Sequence, residues 1–584
     1  MTSFPPALLY FAGAIVIPWL PARLRQVMFL AVTVISFGFI VNLNPGESLG
    51  LSFLDLELVP LRVDGLSLAF GYVFSLVAFL GGLYAFHLKD RSQQVAALLY
   101  AGAALGAVFA GDLFSLFVFW EIMLIGSSYL IWSGNRRGSE GAGMRYILFH
   151  LFGGSLLLAG IIWHYSQTGS ILWMHFEGPS SWLILAGFAV NAAIPPVHAW
   201  LSDAYPEASI TGSVFLSAFT TKVAVYALIR GFEGLEILLW AGAVMVIYGA
   251  IYALIENDLR RILAYSTISQ VGFMVTAVGI GGQLAINGAV AHAFGHILYK
   301  ALLFMAAGAL IYATGKNRLT QLGGLKKRLP LIFGLYTIGA MAISGFPLFS
   351  GFVTKPVILY AAESNHLDIV YVLLYLASIG TFLHTGLRLP YYAWMGKESQ
   401  IPLKSLPSGM YWAMGLAGLS CLVIGIFPGI LYNVLPYDLQ YHPYTAGHLW
   451  ETLGLLLFSG MVFWLIKHRL KPGEMINLDI DWFYRRPAHL AYRLFVEFPS
   501  ICFGQFGTMT SSVVNHLSRI AANPPGFLIW HSKNVFNRLG LISRPETEPA
   551  VFNPHRYRTS VGWMIIILML VFVVLLFAML VYTH

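Results

Sequence analysis

Charge is scarce in this 584-residue chain. Asp, Glu, Lys and Arg make up 10% of it, against about 25% in soluble globular domains. Too little polar surface remains to face water, which excludes a soluble globular fold. Cysteine is almost missing: Cys421 and Cys502 stand far apart, with no C-x-x-C pair. That excludes a disulfide framework, a zinc site and an iron–sulfur cluster, so no metal and no cofactor is expected. No Walker-type glycine loop occurs, so ATP is not the driver. Short alternating segments are also lacking, which excludes a membrane barrel.

Apolar residues are what the chain has in abundance, at 58%. Runs near twenty residues recur from end to end, and in hydrocarbon only a helix satisfies its own N–H and C=O groups within one segment. The fold class is therefore an all-α polytopic membrane protein with about sixteen transmembrane helices. Spans 1 to 6 are expected near 5–21, 26–43, 66–87, 93–110, 112–133 and 144–165. Spans 7 to 11 fall near 182–199, 209–231, 236–255, 262–282 and 286–313. Spans 12 to 16 fall near 330–361, 369–393, 409–434, 447–467 and 561–582. The first apolar stretch runs straight into the second without a small-residue cleavage site, so it reads as span 1 rather than a removed signal.

The net charge of +8 does not mark a nucleic-acid partner, because the cations follow the loops. With the N-terminus outside, the inside loops of the first fourteen spans hold seventeen Lys and Arg residues, from Arg23 through Lys397 and Lys404, and the outside loops hold only Arg62 and Arg230. This is the positive-inside pattern of a multi-pass cell-membrane protein. It places the segment after Lys467 on the cytoplasmic side and the C-terminus outside. Residues 469–560 mix charges with aromatics at helical spacing and are interrupted by Pro499, Pro524 and Pro525. They read as a broken amphipathic lateral segment lying on the membrane or on a neighbour. Residues 544–558 read as an extended connector to span 16.

Two spans carry their own breakers: Ile194-Pro195-Pro196 in span 7, and Gly345-Phe346-Pro347 followed by Gly351 in span 12. Proline removes a donor and pushes its predecessor out of helical geometry. Interrupted spans in corresponding positions point to an inverted repeat with its ion site at the breaks.

Ionisable side chains at bilayer depth cost roughly 2.5–3.5 kcal/mol each. This chain has Glu121 in span 5, Lys222 in span 8, Lys300 in span 11 and Lys355 in span 12. His292, His296 and Lys300 lie at i, i+4 and i+8, so one helix face carries three titratable groups about 6 Å apart. One or two waters bridge such a gap, and histidine changes charge near neutrality. These residues are the candidate proton pathway. His150 in span 6 is a weaker candidate, and His164 reads as an interface residue. Asp64, Asp203 and Glu207 lie near membrane ends and read as helix caps or loop braces.

The segments NAAIPPVHAWLSDAYPEASITGSVFLSAFTTKVAVYALIRG (191–231), ENDLRRILAYSTISQVGFM (256–274), HAFGHILYKALLF (292–304) and GFPLFSGFVTKPV (345–357) resemble the antiporter-like membrane subunits shared by Mrp-type Na+/H+ antiporters, respiratory complex I and membrane-bound hydrogenases. The resemblance looks strongest to the D-type subunit of the Mrp antiporters. It implies a fourteen-helix core with inverted five-helix repeats in spans 4–8 and 9–13. The chain then divides into 1–92 (spans 1–3), 93–231, 232–395, 396–468 (spans 14–15), 469–560 and 561–584. By the resemblance Glu121 matches the family's helix 5 glutamate, Lys222 its helix 8 lysine, His292, His296 and Lys300 its helix 11 relay, and Lys355 its helix 12 lysine. One departure stands out: where the family has a helix 7 lysine, this chain has Asn191, an auxiliary residue that can orient water but not carry a proton.

The expected function is proton translocation within a multisubunit membrane complex of Mrp type, with this chain as its D-type member. Na+ or K+ is the possible counter-ion, and other membrane subunits and the lipid bilayer are the partners. The alternatives are a proton-pumping subunit of a redox complex and an energising membrane partner for inorganic-carbon uptake. With Glu121 about 5 Å from Lys222 and an effective dielectric near 20, a charge on one changes the energy of the other by about 3 kcal/mol.

Overall fold

The computed structural model describes all residues except 1–3, 54–55, 397–400, 475–477, 542–560 and 583–584. Lys397 and the expected connector 544–558 therefore lie outside the described residues. Among those described, thirteen helices are long and apolar enough to cross a membrane. The other three expected spans are shorter or divided: span 1 is Ala7–Val16 extended by the turn Ile17–Trp19, and spans 7 and 12 are each two helices. The chain is a polytopic helical membrane protein.

The first compact unit runs from Met1 to Asp481. Aspartates set several of its helix starts. Asp64 caps span 3 (Gly65–Tyr84) in a capping box with Ser67, Asp112 caps span 5 (Leu113–Trp132), and Asp258 caps span 10 (Leu259–Ile280). Each accepts from the orphan N–H groups of a first turn. Between spans 2 and 3 lies a feature the sequence reading does not foresee. Strands β1 (Ser48–Phe53) and β2 (Leu56–Arg62) pair antiparallel, with an irregularity between Leu49 and Leu51.

Both proline-marked breaks are present, five spans apart. In span 7 the helix Pro179–Asn191 stops, the Pro195–Pro196 peptide is cis, and Ala199–Glu207 resumes. In span 12 the helix Pro330–Ser344 ends on Gly345 at φ 75°, which glycine adopts without a Cβ clash, and Ser350–Ser364 resumes. A third break, unmarked by proline or glycine, divides span 8 into Gly212–Ala218 and Thr220–Gly231.

Enclosure is uneven. The apolar stretches of spans 8 and 10 are wholly buried in protein, and that of span 11 is 94% buried. Span 11 is a 33-residue helix, Gly282–Thr314, about 50 Å long and so longer than the roughly 30 Å of hydrocarbon. The helices that carry Lys222, His292, His296 and Lys300 are thus among the most enclosed.

The second unit, Trp482–His584, is helical in Trp482–Tyr492, Phe498–Ala522, Pro524–Arg538 and Val561–Tyr582. Pro499 does not interrupt it as the sequence reading expects. A π turn, Arg493–Glu497, precedes the proline and widens the backbone, so the helix continues. Asn523 does end the run, and its side chain caps the helix opened by Pro524. Most of the described apolar residues of this unit are exposed, with Phe495 at 78% and Phe503 at 77%.

Candidate functional site

The break in span 8 shapes the site. It is held by Tyr100 of span 4, whose hydroxyl takes the Thr220 N–H at 3.1 Å and pairs with Thr220 Oγ1 at 2.6 Å. Lys222 is fully buried and turns back into the gap. Its Nζ donates to the Ser217 carbonyl at 2.6 Å and to Thr221 Oγ1 at 3.0 Å. Lys355 does likewise in span 12, donating to the Ile343 carbonyl at 3.0 Å, next to the helix end at Ser344. Lys300 donates to the Leu263 carbonyl of span 10 at 2.9 Å. A broken helix leaves its last carbonyls without intrahelical partners, and two of the three lysines use such groups. Among the described residues no carboxylate forms an ion pair with any of the three.

His292, His296 and Lys300 share one face of span 11. The two imidazole rings are 6.1 Å apart, and both are fully buried. None of their four nitrogens has a hydrogen-bond partner among the described residues, nor do the buried hydroxyls of Ser266 and Thr354. A buried polar group left unpaired costs about 1–3 kcal/mol, and water bridging such groups removes that cost. Lys222, Lys300 and Lys355 all act electrostatically on His296, and Lys222 and Lys355 act on His292. The fold thus brings Lys222, His292, His296, Lys300 and Lys355 into one enclosed cluster.

Glu121 stands apart from it. The side chain is half-buried between spans 5 and 6, with its carboxylate against Gly154, where a Cβ would collide with it. Among the described residues no ion pair joins it to Lys222. Asn191 ends the first half of span 7 and is hydrogen-bonded through Oδ1 to His150 Nδ1 at 2.6 Å. The His150 ring is buried against Tyr146 and Trp200, with centroids 4.1 and 4.5 Å away. Tyr146 in turn donates to Ser127 at 2.9 Å and lies 3.4 Å from Thr220 Oγ1, at the span 8 break. The Tyr146 ring, packed on His150, and its hydroxyl near Thr220 therefore connect the Asn191–His150 pair to the gap that holds Lys222.

Two of the residues expected to cap or brace have such partners. Asp64 caps span 3 and pairs with Arg230 at 2.6 Å, and Asp203 pairs with Arg145 at 2.8 Å. His164 packs edge-on against Phe176.

A buried histidine near the cluster escaped the sequence reading. His384 lies in a π turn of span 13 (Phe382–Arg388) and bonds Thr385 Oγ1 at 2.7 Å. Lys300, Arg388 and Lys355 act on it electrostatically. Its only sequence signal is a lone histidine inside an apolar run. Lys355 also lines a cavity of about 220 Å³ with Glu363, Tyr371, Tyr375, His448 and Glu451. Glu363 and Glu451 are exposed, so this cavity joins the cluster to one end of the bundle.

Comparison with known proteins identifies the family. The NADH:quinone oxidoreductase/Mrp antiporter transmembrane family matches residues 110–383. The D-type subunit of the Na(+)/H(+) antiporter of Bacillus subtilis is 30% identical over 357 residues, 56% of this chain and 72% of the relative. The A-type subunit of the Na(+)/H(+) antiporter of Alkalihalophilus pseudofirmus is 29% identical over 514 residues, and the match spans 75% of this chain but 63% of that longer relative. A chain in the solved structure of the membrane-bound sulfane sulfur reductase, an archaeal respiratory membrane complex, superposes with a TM-score of 0.67 at 22% identity, over 92% of this chain and 99% of that one. The protein belongs to the antiporter-like membrane subunit family shared by Mrp antiporters and NADH:quinone oxidoreductases.

Proposed function

We propose that this chain translocates protons as the antiporter-like subunit of a multisubunit membrane complex. The observation that carries the reading is the unpartnered imidazole pair, His292 and His296, set among Lys222, Lys300 and Lys355 inside the most enclosed spans. Water completes the hydrogen bonds of these groups and makes a line along which protons step. The lysines suit this task because main-chain carbonyls hold them. An amine that has lost its proton still donates an N–H to Ser217, Leu263 or Ile343, so emptying a site strands no carboxylate. The route runs from Lys222 through the span 11 face that carries His292, His296 and Lys300 to Lys355, and leaves by the cavity lined with Glu363 and Glu451. His384 supports its last step.

At the first break, His150 supplies the titratable group that Asn191 lacks. Asn191 orients the ring, and Tyr146 and Thr220 link it to the Lys222 gap. Glu121 biases the route from its edge.

An Mrp-type cation/proton antiporter, with this chain as its D-type member, is the assembly this reading favours. It rests on the named relatives, with Na+ or K+ as the exchanged ion and the cell membrane as the location. A pumping subunit of a redox complex is the second reading. It is favoured by the likeness to the sulfane sulfur reductase chain, which extends over 92% of this one. Purifying the intact complex and identifying its subunits separates the two. Reconstituted into vesicles, Lys222→Ala should abolish proton movement; wild-type movement in that variant would refute the route.

A further inference from the structure

Beyond span 15 the chain returns across one end of the bundle before the first unit closes at Asp481. Tyr392 donates to the Lys467 carbonyl at 2.6 Å, Arg388 to the Leu470 carbonyl at 3.0 Å, and Tyr252 to the Leu478 carbonyl at 2.8 Å. These tethers come from spans 13 and 9, and they bring Asp479 to the break in span 7. The Asp479 carboxylate there accepts from Tyr265 at 2.6 Å, from Tyr248, and from the N–H of Ile480 at 2.6 Å. Its two oxygens lie 3.2 and 3.3 Å from Nε2 of His198, which is itself 2.9 Å from the Tyr248 hydroxyl. His198 is fully buried, and Asp479 is 9% exposed.

This constellation is a poor fit to a simple clasp. Burying a carboxylate is costly unless it is paired, and the side chain that faces both of its oxygens, beside the two tyrosines, is a histidine rather than a lysine or arginine. The other imidazole nitrogen is what matters. Nδ1 of His198 is buried and has no hydrogen-bond partner among the described residues. The ring therefore meets a carboxylate on one side and offers a bare buried nitrogen on the other, as a relay must. Its position agrees. His198 ends the interruption that begins after Asn191, and Trp200, two residues on, packs against His150. The end of the bundle is also the right one: the cavity beside Lys355 opens where span 13 begins, whereas Asp479 lies where span 9 ends and span 10 begins.

We propose that Asp479 and His198 form the second mouth of the proton route, a port where the carboxylate exchanges protons with water and His198 passes them into the span 7 break. This rests on the proton-translocation reading above. In the inward step a hydronium ion protonates one Asp479 oxygen and becomes water. The acid O–H bond then breaks as an N–H bond forms at Nε2 of His198, which regenerates the carboxylate. The imidazolium releases its Nδ1 proton to the interior, and a ring flip then turns the bare nitrogen toward Asp479 and the N–H toward the interior, ready for the next proton. One proton moves and no other group is consumed. Tyr248 and Tyr265 hold the carboxylate in line. The charged groups around them are Arg261, Glu256 and Asp481, each of which acts electrostatically on Tyr265.

The test uses the assembled complex in vesicles, with proton flux read by a pH dye after a pulse of Na+ or K+, in Asp479→Asn, Asp479→Glu and Lys222→Ala. Asparagine keeps the size and still accepts from the tyrosines but exchanges no proton, so Asp479→Asn should lose about a hundredfold, the lower end of what a positioned proton-transfer group contributes. Asp479→Glu restores the acid and should stay within about threefold of wild type. Wild-type flux in Asp479→Asn beside a dead Lys222→Ala overturns the port and leaves the route standing. Flux equally low in Asn and Glu also overturns it, because the carboxylate is then a clasp. Wild-type flux in Lys222→Ala sinks the translocation reading itself. An infrared carboxylic-acid band that appears on acidification, vanishes in Asp479→Asn and shifts in Asp479→Glu is the signature a purely structural aspartate would not give.

Discussion

Replacing Lys300 with arginine separates a transport lysine from a structural one. Lys300 is fully buried and donates to the Leu263 carbonyl at 2.9 Å. A guanidinium donates equally well to a carbonyl but does not give up its proton at any working pH. If Lys300 only ties span 11 to span 10, Lys300→Arg should work. If it is a stepping point, the substitution has two effects. It removes the site from the route, and it fixes a positive charge one helical turn from His296. Four residues of helix are about 6 Å, and at an effective dielectric near 20 a unit charge there opposes protonation of His296 by about 3 kcal/mol. That is about a hundredfold in the population of the charged imidazole. Proton flux through the reconstituted complex should therefore fall about a hundredfold or more, while Lys300→His, which titrates, keeps a measurable rate. Because arginine is the larger side chain, Lys300→Gln gives a second arm: it fits the space, carries no proton, and should be equally inactive. Wild-type flux in either the Arg or the Gln variant would refute the reasoning.

Three further outcomes are expected. His150→Gln keeps a partner for Asn191 but loses the titratable ring, so flux should fall about tenfold or more with assembly unchanged; undiminished flux removes His150 from the route. Tyr100→Phe takes away the hydroxyl that holds the Thr220 N–H. Its thermal melting should report a loss of about 1–3 kcal/mol for a buried donor left unpaired, and an unshifted melting curve would show that the span 8 break is held some other way. At Asp64, burial alone would raise the carboxyl, but Arg230 at 2.6 Å and the Ser67 N–H hold it below its usual range. A lowered folded-state value means the contribution is full above the unfolded value near pH 4 and is lost as pH falls through the folded one. Asp64→Asn should lower stability by about 1 kcal/mol at neutral pH, with the gap to wild type closing as the pH is taken below about 4. A gap that stays constant down to acid would refute the ion-pair account.

The spans were legible because each is one long apolar run, and the breaks in spans 7 and 12 because proline and glycine write them into the sequence. The break in span 8 was not. Thr220 and Thr221 do not stop a helix by themselves, and what holds the gap open is the hydroxyl of Tyr100, which is 120 residues away in the chain. The same limit applies to Pro499. Read alone it is a breaker, but the π turn just before it absorbs the clash. The helix 11 stripe was visible since its period lies within one helix. His384, His198 and Asp479 were not, because each gains meaning only from side chains on other spans. Asn191 was visible as an absence, but the group that meets it, His150, is identified by a 2.6 Å contact across two helices.

The way the lysines are held sets how hard the line is to move. A buried ion pair that loses one partner costs about 3–5 kcal/mol, so a route built from Lys–Glu pairs must break one at every step. Here the three ammonium groups rest on the carbonyls of Ser217, Leu263 and Ile343, and deprotonation leaves those hydrogen bonds in place. What remains is repulsion between neighbours. Two imidazolium rings 6.1 Å apart would oppose each other by about 3 kcal/mol at a dielectric near 20, so on the proposed route no more than one of His292 and His296 is charged at a time. A proton arriving at Lys222 then displaces the one ahead of it without any pair having to open. Placing a carboxylate beside His292, as in Phe273→Asp on the ring 5.8 Å from it, would restore a pair and trap the proton. Flux should drop although the added charge is opposite in sign, and flux that rises instead would show that pairing, not repulsion, drives the line.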